Sequence, residues 1–358
     1  MICILSRIPA FYLFRKFGRP KMLPMNLTFS LSFKCNSRCM TCNIYKKDTE
    51  ELTLEEWRNV FKGLGKNVFW ATISGGEPFL RQDLYEIVCA LYDHCRPSVI
   101  NIPTNGILID KIPGIAYKIS KYCNNSQIVI NVSIDDIEKR HDNIRGVPGN
   151  FEKAVNVFRN LKKIDSQNLS AGIHTVISGF NVKRIKQISD YMLDLNPDSY
   201  ITEIAEERVE LDTVGSGITP GYEEYAEAVD YLVNKMKIAR YNKAGKITRA
   251  FRICYYTLVK EILKKKYQVL PCYAGFASAQ VAPDGEVWMC CIKAESIGNL
   301  KDAEFDFKRL WFSEKAEEQR KRIKAGECYC PLANAAYTNM LHNIKSLFKA
   351  GKNFLRYR

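Results

Sequence analysis

The sequence predicts an α/β fold, a partial (β/α)6 barrel of the TIM type followed by a small cysteine-bearing C-terminal domain. Three observations carry this. Six short runs rich in β-branched residues recur at about 30-residue spacing, and an amphipathic stretch of helical period separates most of them. Parallel strands need crossovers of that length, whereas antiparallel ones do not. With 358 residues, 46% of them hydrophobic, the chain can bury one large core and a smaller one.

The strands are expected at "NLTFSLS" (26–32), "VFWATIS" (68–74), "SVINIPT" (98–104), "IVINVSI" (128–134), "SAGIHTVI" (170–177) and "SYITEIA" (199–205). Helical patterns fill 53–64, 81–95, 112–122, 150–164 and 181–194, with Thr53, Asn150 and Asn181 placed to cap three of them. The expected organisation is a basic apolar segment (1–25), the barrel (26–215), a helical connection (216–270), the cysteine domain (271–332) and a basic amphipathic tail (333–358).

The net charge of +14 belongs to the ends. Nine Lys and Arg up to Lys47 and five from Pro331 onward, with no acid in either stretch, account for all of it. No run of about 18 apolar residues exists to span a bilayer. "MICILSRIPAFYLF" is broken by Arg7 and Pro9 and lacks a signal-peptide cleavage site. Thirteen cysteines in a chain this long, in two clusters about 230 residues apart, argue against a secreted disulfide scaffold and for metal in a reducing cytoplasm.

The first cluster is "FKCNSRCMTCNIY", directly after the first strand, at the end where barrel enzymes carry their chemistry. Cys35, Cys39 and Cys42 are one ligand short of a tetrahedral metal site, and no Cys or His follows within 45 residues to complete a zinc site. Three thiolates can instead hold a 4Fe-4S cubane at three irons and leave the fourth open to a small molecule.

That spacing resembles the radical S-adenosylmethionine (SAM) enzymes, and the resemblance runs over about residues 26–205. It implies that SAM chelates the open iron and that one electron cleaves it to a 5′-deoxyadenosyl radical, which abstracts hydrogen from an unactivated carbon. "SGGEPFL" matches the family's GGEP motif, so Gly75, Gly76 and Glu77 would meet the methionine amino group; both glycines would let backbone approach the ligand. "PTNG" resembles the family's TNG turn and marks Asn105. "SID" and "HDNIRG" align Ser133 and Arg145 with positions that contact the methionine carboxylate. Where relatives carry an aromatic residue before the third cysteine this chain has Thr41, which leaves Val176 as a candidate adenine contact. By strand periodicity Asp135 and Glu203 point to the barrel mouth, as substrate or proton ligands or as ordinary rim carboxylates.

The second cluster, "PCYAGFASAQVAPDGEVWMCC" and "GECYC", resembles the start of a SPASM or twitch domain, a small iron–sulfur extension. Cys272, Cys290, Cys328 and Cys330 would fill one auxiliary 4Fe-4S cluster, with Cys291 an alternative to Cys290. Cys3, Cys89, Cys95, Cys123 and Cys254 read as packing residues. A mere electron carrier needs neither an open iron nor a barrel, so an enzyme is expected, with a flavodoxin or ferredoxin as electron donor. Apolar residues interleaved with Lys and Arg at both ends fit two outcomes: docking on an anionic membrane face, and with it a lipid or lipid-linked glycan substrate, or packing on the barrel to cap the cysteine domain with the cations left in water. A soluble peptide or a sugar-like alcohol is the alternative. The winged-helix domain of many peptide maturases would not fit in the 34 residues before Cys35, which lowers the peptide expectation. Nucleic acid is not expected, since the terminal aromatics look clustered for burial.

Overall fold

In a computed structural model, residues 6–239 and 243–357 are described. Six parallel strands form as expected: β1 (Asn26–Ser30), β2 (Trp70–Ser74), β3 (Val99–Thr104), β4 (Gln127–Ser133), β5 (Leu169–Ile177) and β6 (Ser199–Ile204). The sheet does not stop at β1. Strand β7 (Ser278–Val281) pairs with β1 in parallel, Asn26 opposite Ser278, and β8 (Glu286–Trp288) and β9 (Ser296–Asn299) continue antiparallel. The order is β6-β5-β4-β3-β2-β1-β7-β8-β9, so the cysteine segment is built onto the barrel sheet and protects its β1 edge.

The helices, in chain order, are α1 (Ile8–Phe17), α2 (Leu54–Leu64), α3 (Leu84–Cys95), α4 (Ile112–Tyr122), α5 (Glu138–Arg145), α6 (Asn150–Lys162), α7 (Ile185–Asp194), α8 (Tyr222–Ile238), α9 (Lys243–Lys265), α10 (Phe307–Trp311), α11 (Glu314–Ala325), α12 (Ala333–Leu341) and α13 (Ile344–Arg356). None is long and apolar enough to cross a membrane. Helix α2 shows why the pattern was readable: Trp57, Val60, Phe61 and Leu64 are buried on one face, and Thr53 and Glu56 form a reciprocal capping box. Thr53→Ala should therefore cost about 1 kcal/mol in a urea titration, with no change in cofactor content.

Two expected caps differ. Asn150 is the first helical residue of α6 and is buried; the Asp142 carboxylate caps α6 instead, accepting from the backbone N–H of Gly149 (2.6 Å) and of Phe151 (2.8 Å). Asn181 precedes a short 3₁₀ turn (Val182–Arg184), and its amide donates to the carbonyls of Asp135 (2.7 Å) and Val176 (2.8 Å) rather than capping. The basic apolar N-terminal segment folds as helix α1, which buries Phe11 and Phe14 against Tyr273 and Phe276 and so caps the cysteine segment, one of the two outcomes its pattern allows.

Candidate active site

The C-terminal ends of β1–β6 surround one cavity of about 260 Å³. The fold brings together there Cys35, Cys39 and Cys42, Thr41, Gly75, Gly76 and Glu77, Asn105, Ser133, Arg145, Val176 and Glu203. Backbone bonds clamp the cysteine loop on three sides. Gly76 and Glu77 donate to the carbonyls of Ser32 (2.7 Å) and Lys34 (3.0 Å), Arg38 and Met40 donate to Arg145 (2.9 Å) and Ile144 (2.8 Å) at the end of α5, and Asn43 donates to Leu211 (2.9 Å). The glycine requirement lies here: a Cβ on Gly76 would sit 2.2 Å from the Lys34 carbonyl oxygen. The close approach that Gly75 and Gly76 permit is thus to the cysteine loop's own backbone, in addition to whatever fills the cavity.

Glu77 is buried, with its carboxylate accepting from Phe79 N (3.1 Å), Thr104 Oγ1 (3.0 Å) and Asn105 N (2.7 Å). Burial nevertheless pushes its pKa up to about 7. A cation entering the cavity would restore its charge. Asn105 donates to Asn36 Oδ1 (2.7 Å), which ties the third strand to the cysteine loop.

Asp135 is a correction. Its side chain does not line the cavity; it is buried, 2.7 Å from Arg145 Nε, and accepts from Val176 N (2.9 Å). Strand β4 ends at Ser133, so the alternation that aimed Asp135 at the mouth has already been broken. Arg145 in turn donates to Cys39 Sγ (3.8 Å) and lines the cavity. Behind them, His141 Nδ1 accepts from Asp135 N (3.1 Å), which makes Nε2 the donor to Asn150 (3.1 Å). Burial holds His141 down at about 4, a neutral strut.

The cavity wall formed by β5, β6 and the segment after β6 is ionic, and most of it is not marked by any sequence motif. His174 faces Glu203 (3.5 Å), and Arg208 faces Glu206 (3.5 Å). Burial pushes the Glu203 carboxyl up, but His174, Arg208 and Arg252 more than offset it and leave it below its ordinary value. Neither carboxylate oxygen of buried Glu206 has a hydrogen-bond partner, and burial raises its pKa to about 8. The dense charge of "EERVE" just past β6 was the available signal. A carboxyl raised in the folded state leaves stability untouched below its unfolded pKa. Stability then falls as pH rises through the unfolded value, levelling near 8. Glu206→Gln should therefore remove a pH-dependent loss of a few kcal/mol in the cofactor-free chain between about pH 5 and 8, read as urea midpoints.

Cys272, Cys290, Cys328 and Cys330 line a second cavity of about 80 Å³. Cys291 does not line it; it is buried with Leu332 and Ala335 and its carbonyl accepts from Glu210 N (3.4 Å). Cys95, Cys123 and Cys254 are buried and Cys89 half-buried; Cys3 lies outside the described residues. Among the described residues every cysteine is a free thiol, and no three His, Cys, Asp or Glu side chains gather around a single-ion site. Both thiol sets suit iron–sulfur clusters. Burial keeps these thiols protonated, Cys42 and Cys290 up to about 12, so metal must displace their protons. N–H groups of Ser37 and Ile292 already point at Cys35 Sγ (3.4 Å) and Cys290 Sγ (3.3 Å), as cluster sulfurs require.

Residues 29–192 match the radical SAM superfamily and residues 272–331 match the SPASM iron-sulfur cluster-binding domain. The mycofactocin maturase MftC of Mycolicibacterium smegmatis is 27% identical over 227 residues, 62% of this chain and 55% of that protein, so the match spans about half its length. The AdoMet-dependent heme synthase of Methanosarcina barkeri is 26% identical over 83% of this chain and 84% of its own. The structure of anSMEcpe with bound AdoMet and Cp18Cys peptide superposes with a TM-score of 0.61 at 18% identity, covering 94% of this chain and 96% of that one, a likeness of fold.

Proposed function

The chain belongs to the radical SAM superfamily and carries a SPASM segment, and from that premise we propose that it is a peptide-modifying radical SAM enzyme. Loaded with a 4Fe-4S cluster on Cys35, Cys39 and Cys42 and with SAM, such a site supplies a 5′-deoxyadenosyl radical that abstracts hydrogen from an unactivated carbon. The residues divide the work. Glu77 would receive the SAM ammonium, Arg145 and Ser133 its carboxylate, and Val176 would meet the adenine. Asp135 orients Arg145 without touching ligand. Cys272, Cys290, Cys328 and Cys330 hold an auxiliary 4Fe-4S cluster, and a flavodoxin- or ferredoxin-like protein delivers the electron.

One observation carries the substrate class: the part of the cavity wall built by β5, β6 and the segment after β6 is ionic, with Glu203, Glu206, His174 and Arg208. Buried charge suits the amides and polar side chains of a peptide and disfavours an acyl chain, which places a peptide ahead of the lipid substrate expected from the termini. The peptide held by anSMEcpe supports the same choice over a sugar-like alcohol. A tetrapyrrole is the second reading, favoured by the extent of the heme synthase match. The test is label transfer from deuterated peptides into 5′-deoxyadenosine under dithionite. Transfer from a porphyrin and from no peptide would reverse the order.

Reconstituted protein should contain about eight iron and eight sulfide per chain, two cubanes' worth. The Cys328→Ala/Cys330→Ala variant should fall to about four of each while still forming 5′-deoxyadenosine. About four iron in the parent protein would remove the auxiliary cluster.

A further inference from the structure

Helix α13 is packed on one side only. Ser346 and Ala350 are buried, and Asn353 donates to Cys254 Sγ of α9 (3.5 Å). Asn343 caps its start, accepting from Ser346 N (2.9 Å). Its other side carries Ile344, Phe348 and Leu355, exposed by 71, 76 and 80%. The space of about 810 Å³ along that side is lined by α13 residues alone, so among the described residues no other element covers it. Lys345, Lys349, Lys352 and Arg356 lie along the same helix, and residues 331–358 contain no acid.

We propose that α13 is an interfacial helix that seats the enzyme on an anionic membrane surface, its apolar stripe among the acyl chains and its cations among the headgroups. Charge decides between occupants. A second copy would meet the stripe with itself across a two-fold axis and oppose one acid-free basic helix to another. Nucleic acid offers no apolar partner for three large exposed side chains. An anionic bilayer satisfies both faces at once. Helix α1 adds a second contact at the same end, for Phe11 packs on His342, two residues before α13 begins (centroids 5.4 Å apart). Outward from it project Tyr12, Leu13 and Phe17, the last 66% exposed. Neither helix lines the cysteine cavities, so the docking surface leaves the polar substrate assignment untouched.

The experiment is co-sedimentation of the full chain, at low and high salt, with phosphatidylcholine vesicles and with vesicles containing phosphatidylglycerol. The parent should bind the anionic vesicles and release at high salt. Ile344→Glu/Phe348→Glu/Leu355→Glu should lower the bound fraction by about tenfold or more, and Lys345→Glu/Lys349→Glu/Lys352→Glu comparably. Both variants change exposed positions and should keep the parent's iron content and circular dichroism, a readout independent of turnover. Equal binding by the apolar triple variant overturns the proposal. So does equal binding to neutral vesicles, or no binding by the parent at low salt. A parent dimer by light scattering that the apolar variant converts to monomer would assign the face to a second copy and overturn it too.

Discussion

Replacing Cys42 by alanine is expected to lower 5′-deoxyadenosine formation from SAM by more than about a hundredfold, because losing one of three ligands costs more than losing an outer-shell partner does. The three thiols sit on one loop whose position is fixed by bonds from β2, α5 and the Leu211 region, so the substitution should remove a ligand without moving the other two. Cys35→Ala and Cys39→Ala should behave alike, each bringing iron to about four per chain, all of it in the auxiliary site. The contrast with Cys328→Ala/Cys330→Ala is what discriminates: equal iron loss, opposite effect on SAM cleavage. If Cys42→Ala retained the parent's deoxyadenosine yield in anaerobic assays with dithionite, the assignment of the open-iron site would fail. A bystander thiol such as Cys95, buried against the Phe61 carbonyl (3.4 Å), should tolerate Ala with only a packing cost of about 1–2 kcal/mol.

How much was legible depends on range. The six strands were readable because each buries an apolar face, β-branched in most: Leu27 and Phe29 in β1, Ile100 and Ile102 in β3, Ile128, Ile130 and Val132 in β4. The cysteine loop and its neighbours were readable because motif residues follow strand ends directly. Helix α5 was not. "EKRHDNIR" has no apolar stripe, and it is held by contacts outside itself, His141 with Asn150 and the carbonyls of Ile144 and Arg145 with the cysteine loop. The pairing of β1 with β7 joins residues some 250 positions apart, and no local pattern encodes a register of that span. The ionic wall was missed for a different reason. Glu206 and Arg208 lie past the end of β6, where alternation no longer says which side chain turns inward. The four thiols of the second cavity were within reach because cysteine spacing carries chemistry even where the elements between are short.

Breaking the Asp135–Arg145 pair is expected to destabilise the chain by about 3–5 kcal/mol from either side, since each partner is buried and would be left uncompensated. Arg145→Met leaves the Asp135 carboxylate with the Val176 N–H as its remaining donor; Asp135→Leu leaves the guanidinium with the Cys39 sulfur as its hydrogen-bond acceptor. Arg145→Met/Asp135→Leu replaces both charges with apolar volume and should recover most of the loss, giving a coupling of about 2 kcal/mol or more in a urea double-mutant cycle. That result separates positioning from chemistry. If Asp135 reacted with substrate, Asp135→Asn would spare stability and abolish turnover. In the arrangement described here the order reverses: Asp135→Asn weakens the hold on Arg145, so the chain is destabilised and the KM for SAM rises before kcat falls, because Arg145 is the group facing the cavity. The stable double variant supplies the control. It should fold, load the auxiliary cluster and still bind SAM at least about tenfold more weakly, since the cation beside Cys39 is gone while the three thiols remain. Coupling below about 0.5 kcal/mol would mean the two charges do not depend on one another, and the role of Asp135 as the group that aims Arg145 would be lost.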